Sequence, residues 1–262
     1  PGAIKRTGKP WKAVKKQFTF IDTLEEYRSK IEGVSNRARF DYWLNTFRFT
    51  RETAHLGCLL GKMDSLVNDL PELKNDAARK SKVEEFILPQ RIEAAKTWEK
   101  MSEYLLKTVN TNGTMGTIAN LEQHNLKELN MLTRHDSIIK KYLDKKLPGE
   151  SSLSHAYQGP SRIIVPAKRS LLEENEDFNL KVRMFSQRPI NKVELYWKPL
   201  GGEEYSTKSF EHVNRNVYKT TISSNAINQQ DFEYYIKASD QSGEEIYFPA
   251  NAEKINQTVL IN

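Results

Sequence analysis

The sequence predicts an α+β protein in two parts, an N-terminal all-α helical bundle followed by a C-terminal β-sandwich. Three observations predict it. At 262 residues the chain is long enough for two cores, since single domains run to about 100 to 150 residues. Apolar residues recur at helical spacing through the first half and alternate one by one in the last hundred or so residues, the two periods that separate helices from half-buried strands. Between them lies a stretch rich in Ser, Gly and Pro, residues 150–160, with the composition of a linker. The expected organisation is a basic lead-in over 1–20, a helical domain over 21–149, that linker, and a sandwich over 161–262.

Taken in order, the lead-in is punctuated by Gly and Pro and ends in the alternating patch Phe18, Phe20 and Ile21. At Thr23 a hydroxyl followed three residues later by Glu26 forms a capping box, which predicts a short helix stopped at Gly33. A long helix is expected over 36–70, closed by Pro71, and a second over 71–109 that Pro89 should kink or break. Residues 110–114 read as turn chemistry, and a third helical region is expected over 117–145, ended by Pro148 and Gly149.

The long helix is apolar on two sides. Phe40, Trp43, Leu44, Phe47, Ala54 and Cys58 form one stripe, expected to face the core, and Tyr42, Phe49, Leu56, Leu60, Met63 and Val67 lie nearly opposite. A third strip carries small side chains, Thr46, Thr50, Gly57 and Gly61. Glycine inside a helix costs about 1 kcal/mol relative to Ala, so the strip predicts close approach of another backbone, expected from a neighbouring helix of the bundle, the alternative being a further domain outside this sequence.

Beyond residue 160, Phe178, Leu180, Val182 and Met184 alternate with polar residues, as do Val193, Leu195 and Trp197. Residues 218–222, 232–236 and 258–261 continue the series, with turn signals at Gly201-Gly202, Ser223–Asn225 and Asp240–Gly243. About seven short strands over a hundred residues fit the immunoglobulin or fibronectin type III class. In phase with their neighbours, Trp197 and Tyr234 should point inward, the Tyr234 hydroxyl tying back to a loop as in a tyrosine corner. Tyr196 and Tyr235 should point outward on neighbouring strands, a pair of flat rings suited to stacking on sugars or anchoring an interface. These two are the candidate site residues.

Composition narrows function further. With 38% apolar and 28% charged residues the chain is globular in type, and it holds no uncharged apolar run long enough to span a membrane. The formal charge of +6 is matched by Lys5, Arg6, Lys9, Lys12, Lys15 and Lys16 in the lead-in alone. The excess is therefore a basic arm, read as a solvated linker, and argues against a nucleic-acid-binding face. One cysteine excludes an internal disulfide. No set of ligands has metal-site spacing: Glu122 and His124 lack the second His of a zincin, and Cys58 reads as a core residue. No Ser nucleophile elbow is present, and Gly201-Gly202 and Asn112-Gly113 lack the context of a phosphate loop and read as turns. No catalytic residue, cofactor or metal is expected. An opening Pro-Gly-Ala reads as a processed chain or a piece of something longer.

One resemblance joins these observations. The run from Phe232 to Gly243, then Tyr247-Phe248-Pro249 and the closing Gln257–Ile261, together with Val193–Gly201, resembles the Ig-like modules that trail the catalytic domains of large bacterial polysaccharide-degrading enzymes. Ala38–Phe49 resembles the helical segment that follows a glycosidase barrel. The resemblance implies a non-catalytic C-terminal region of a glycoside hydrolase of agarase-like kind. Its partners would be an N-terminal catalytic domain of the same polypeptide and a polysaccharide, and its location extracellular or periplasmic. It carries no catalytic residue onto this sequence. Two alternatives stay open: an interaction module without sugar affinity, and an enzyme with a site where bundle meets sandwich.

Overall fold

The computed structural model describes residues 4–143, 146–252 and 254–262. The expected helix end at Lys145 and the opening Pro-Gly-Ala lie outside them. The chain is an α+β protein with a helical part followed by a part made of sheets, and it divides into two compact units. The helical unit takes in most of the chain up to residue 156; the sheet unit is built on 157–262, with residues 33–36 and 110–112 added.

In the helical unit, α1 (Trp11–Val14) and a 3₁₀ turn lead into α2 (Phe20–Arg28), followed by α3 (Val34–Asn68). Thr23 lies inside α2 and caps nothing, because Phe20 and the buried Ile21 pull the helix start three residues upstream. Gly33 has a φ of 81° and separates α2 from α3, a left-handed position that glycine adopts without strain. The second expected helix starts at Asp76 rather than Pro71, where Asn75 accepts a hydrogen bond from the Ala78 amide at 2.9 Å. It runs as α4 (Asp76–Lys82), a π turn (Val83–Ile87) and α5 (Leu88–Thr108) without a break. The wider π turn accommodates Pro89, whose ring would clash with an ordinary preceding turn. Next comes α6 (Asn112–Leu121), so Asn112-Gly113 opens a helix and is not a turn. A second π stretch over Glu122–Glu128 and α7 (Asp136–Leu143) complete the unit.

Its core joins Leu56, Leu60, Met63 and Val67 of α3 to Ile87, Trp98 and Met101, and to Leu121, Leu132 and Ile139. Of the stripe expected to face the core, Leu44 and Cys58 are buried while Trp43 is 55% exposed. The core lies on the opposite stripe, in the C-terminal half of α3. The N-terminal half is held by α2, through Arg28–Asp41 at 2.6 Å, Arg48–Glu25 at 2.8 Å and the edge-on Phe20–Phe47 pair.

The glycine strip does receive a backbone, but not from a helix. The basic lead-in crosses it as an extended arm: the Thr7 amide donates to the Gly57 carbonyl at 3.1 Å. A Cβ on Gly57 would run into the Lys5 carbonyl, and one on Gly61 into the backbone of Thr7. Arg6 pairs with Asp64 at 2.6 Å and donates to the Met131 carbonyl at 3.0 Å, and the Ile4 amide donates to the fully buried Asn125 at 3.0 Å. Trp11 stacks on His55 at 4.5 Å. Residues expected to be a solvated linker are thus packed onto α3. Part of the second expected linker behaves likewise: Ser151 is buried, and its carbonyl accepts from Arg91, which also grips Asp136 at 2.9 Å.

The sheet unit contains β1 (Arg162–Ile164), β2 (Leu171–Leu172), β3 (Phe178–Phe185), β4 (Ile190–Pro199), β5 (Ser206–Ser209), β6 (Glu211–Asn214), β7 (Val217–Ile222), α8 (Ser224–Ile227), β8 (Phe232–Asp240), β9 (Glu245–Phe248) and β10 (Gln257–Ile261). One sheet runs β1-β3-β7-β6; the other runs β2-β10-β8-β4-β5, with β9 also on β8. Among the described residues all pairings are antiparallel except β2 with β10. Phe178, Leu180 and Val182 from the first sheet share one core with Val193, Leu195, Phe232, Tyr234 and Ile236 from the second. Trp197 packs against that core, edge-on to Phe232 at 6.1 Å.

Candidate functional site

Pairing of β4 with β8 builds the candidate site. Because side chains alternate along a strand, inward Val193, Leu195 and Trp197 leave Glu194, Tyr196 and Lys198 on the outer face. Phe232, Tyr234 and Ile236 likewise leave Glu233, Tyr235 and Lys237 there. The register sets Glu194 opposite Lys237, Tyr196 opposite Tyr235 and Lys198 opposite Glu233, a ladder in which every cross-strand pair is complementary. On the other edge of β8, Lys237 faces Tyr247 of β9.

The two candidate tyrosines are brought together. Their rings stack in parallel, 4.8 Å apart at an interplanar angle of 3°. Two tyrosines outside the candidate pair join them: Tyr205 meets Tyr235 edge-on at 5.1 Å, and Tyr247 lies 6.3 Å from Tyr235. Consequently Tyr235, expected on an open solvent face, is only 4% exposed. It is the centre of a tyrosine row, enclosed by its neighbours, while Tyr196, Tyr205 and Tyr247 are half-buried and present the accessible ring surface. Neither was singled out from the sequence: Tyr247 lies on a short strand, Glu245–Phe248, where it shares a phase with Glu245, a signal that could have found it, whereas Tyr205 follows the turn at Gly201-Gly202 and carries no period.

Ion pairs frame the row. The Tyr196 hydroxyl donates to Glu194 at 3.1 Å, and Glu194 pairs with Lys192 at 2.7 Å. Glu245 accepts from the Tyr247 hydroxyl at 2.7 Å and pairs with Lys237 at the same distance. Lys198 lies 4.6 Å over the Tyr205 ring and 3.2 Å from Glu233, and Asn256 donates to the Tyr205 hydroxyl at 2.6 Å. Burial and the Glu194 carboxylate raise the Tyr196 phenol, and the Glu245 carboxylate raises that of Tyr247. Lys237 holds Glu245 below the usual carboxylate range. Both shifts keep the Tyr196 and Tyr247 phenols protonated at neutral pH, so these rings stay neutral between charged groups. Such a face can stack on a flat ligand and exchange hydrogen bonds at its rim.

On the inner side, Tyr234 is fully buried, and its hydroxyl has no hydrogen-bond partner among the described residues. The tie expected of a tyrosine corner is therefore not made, and burial pushes the phenol up to about 12. Cys58 is buried in the helical unit with its thiol raised by burial. His135 lies 2.7 Å from Asp64. Among the described residues no group of three or more His, Cys, Asp or Glu converges as metal ligands, and no helix is long and apolar enough to cross a membrane.

No protein-family model matches the chain, and no curated protein matches it. Among solved structures it is similar to the endo-β-1,4-mannanase from Thermotoga petrophila, at 11% identity and a TM-score of 0.30, over 48% of this chain and 23% of that one. It is also similar to an engineered protein solved at 1.98 Å by the Northeast Structural Genomics Consortium. That match is at 10% identity and a TM-score of 0.29, over 49% of this chain and 28% of that one. The chain thus spans less than a third of either structure, and likeness at this level carries no argument about fold or function.

Proposed function

We propose that this chain is a non-catalytic accessory region of a polysaccharide-processing glycoside hydrolase, and that its sheet unit is an Ig/fibronectin-III-like module that contacts glycan through the outer tyrosine row. The observation that carries the reading is the row itself, Tyr196, Tyr235, Tyr205 and Tyr247 in mutual ring contact on one sheet face. Flat, rigid rings stack on the apolar faces of sugars, and the carboxylates and lysines around them supply hydrogen bonds to hydroxyls. Resemblance of the Phe232–Gly243 and Val193–Gly201 runs to modules that trail polysaccharide-degrading enzymes supports the same reading, and the missing catalytic domain is the expected covalent partner.

Isothermal titration with a panel of oligosaccharides tests it. Tyr196→Ala should weaken binding about tenfold, as one lost stacking contact of roughly 0.5 to 1.5 kcal/mol is joined by loss of the Glu194 contact. Tyr235→Phe, which keeps the central ring, should bind like the parent. A panel with no measurable binding, at concentrations that saturate ordinary sugar-binding modules, removes the sugar role.

A second reading, a protein-interaction module, is favoured by one feature of the helical unit. Phe20, Tyr42 and Trp43 are 45%, 38% and 55% exposed and are linked through Phe47 and one another by ring contacts. Exposed contiguous aromatics are a mark of protein interfaces. Trp43→Ala should weaken association with a separately expressed catalytic domain and leave oligosaccharide affinity unchanged.

A further inference from the structure

The arm that crosses α3 also encloses a cavity. Gly8, Pro10 and Trp11 line a space of about 400 Å³ together with Cys58 and Leu59 of α3, all within the helical unit. That size suits a small molecule. Trp11 is held in place by stacking on His55 at 4.5 Å and by Phe18 at 6.3 Å, so it lines the cavity as a fixed aromatic surface. Two cations line the same space, Lys9 from the arm and Lys62 from α3, and among the described residues the lining includes no Asp or Glu. Neither ammonium group has an ion-pair partner among the described residues. Asp64, close to Lys62 in the chain, is already engaged by Arg6 at 2.6 Å and by His135 at 2.7 Å. Ser65 and the half-buried Gln90 also line the cavity, and their side chains make no hydrogen bond among the described residues.

That combination selects a ligand. Two lysines without a carboxylate between them favour an anion over a neutral group, and an ammonium, as a compact point charge, takes a carboxylate or a phosphate equally well. An indole wall favours a flat ring over a flexible chain. A free hydroxyl and a free amide can exchange hydrogen bonds with the rim of such a ring.

We infer that the cavity under the arm binds a small aromatic anion, its ring against Trp11 and its carboxylate or phosphate against Lys9 and Lys62. The site belongs to the helical unit and does not depend on the tyrosine row. Because the arm supplies Trp11 and Lys9, a ligand held there ties the arm to α3, and the Thr7 amide, which donates to the Gly57 carbonyl at 3.1 Å, reports its arrival. The full chain is titrated at about 0.15 M salt with 4-hydroxybenzoate and adenosine monophosphate, which separate carboxylate from phosphate. Their neutral counterparts, 4-hydroxybenzamide and adenosine, and inorganic phosphate complete the set. At least one aromatic anion should bind about tenfold more tightly than its neutral counterpart and than inorganic phosphate, and should slow hydrogen exchange at the Thr7 amide. Lys9→Glu and Lys62→Glu, at exposed positions where folding is not at stake, should each abolish that preference. Lys181→Glu on β3, the same change of charge in the other unit, should alter affinity less than about twofold. Four results overturn the inference. Inorganic phosphate or the neutral rings bound as tightly as the aromatic anions leave no site that reads both ring and charge. Equal losses in Lys62→Glu and Lys181→Glu show general charge attraction rather than the cavity. Binding that leaves Thr7 exchange unchanged takes place outside the space under the arm. Absence of binding by all five probes removes the site and leaves the glycan reading untouched.

Discussion

Tyr234 shows how a single atom can be both buried and unserved. Its ring fills the centre of the sandwich core against Phe178 at 5.2 Å, while its hydroxyl has no partner among the described residues. Removing the hydroxyl should be nearly neutral at pH 7, within about 1 kcal/mol, since a lost desolvation penalty offsets little lost bonding. The difference should appear in alkali. The unfolded phenol titrates near 10 and the folded one near 12, so between these values the unfolded state has released a proton that the folded state keeps. Stability is full below pH 10 and falls as pH rises toward 12, by about 2 to 3 kcal/mol for a shift of this size. Thermal melts of Tyr234→Phe across that window should fall less steeply than those of the parent; the residual slope belongs to the other raised phenols, Tyr157, also held near 12 by burial, with Tyr196, Tyr218 and Tyr247. Equal slopes would show that the hydroxyl is solvated in the folded state. Alternation alone assigned Tyr234 to the inside and Tyr196 and Tyr235 to the outside, because a period of two leaves no other choice once the core face is known. The enclosure of Tyr235 was not legible, since it depends on Tyr205 and Tyr247, which arrive from other segments.

At the scale of elements, the glycines of α3 and the arm that crosses them form one device. Gly57 and Gly61 were legible as a place of close approach, because glycine in a helix needs a compensating reason. The partner was not, since an extended arm has no period and its lysines resemble those of a solvated tail. The assignment has a test with a change of sign. In the full chain, Gly57→Ala and Gly61→Ala should each destabilise by about 1 to 3 kcal/mol, as the new methyl meets the Lys5 and Thr7 backbone. In a chain starting at Trp11 the same substitutions should stabilise by up to about 1 kcal/mol, because only helix propensity remains. Melts that move the same way in both backgrounds would show that the arm does not occupy the strip. The π turns were hidden for a similar reason: Pro89 announces a defect in the hydrogen-bond ladder, but whether the helix breaks or widens is decided by Val83 and Ile87, which are buried and hold the two halves in line.

For the whole molecule, the proposed accessory role predicts chemical silence. Incubated with galactans, mannans and uronate polymers, the purified chain should release no reducing sugar above a heat-treated control, and reproducible turnover would move it into the class of enzymes. The division into two units was legible from the exchange of one hydrophobic period for another. Less legible was how the sheets are wired, since strand order leaves no trace in alternation.

That wiring has a consequence for how the protein is made. The last strand, β10, does not lie at a margin: it is inserted between β2 and β8, parallel to one and antiparallel to the other. A ribosome delivers residues in order, so β8 waits with Phe232 and Tyr234 beside an unfilled slot until β10 has emerged to pair with it. An unpaired strand edge of this kind invites the wrong neighbour. Chains truncated between residues 240 and 257 should therefore be insoluble or rapidly degraded rather than merely shorter, and a chain that keeps β10 should not, which a solubility assay of the two checks.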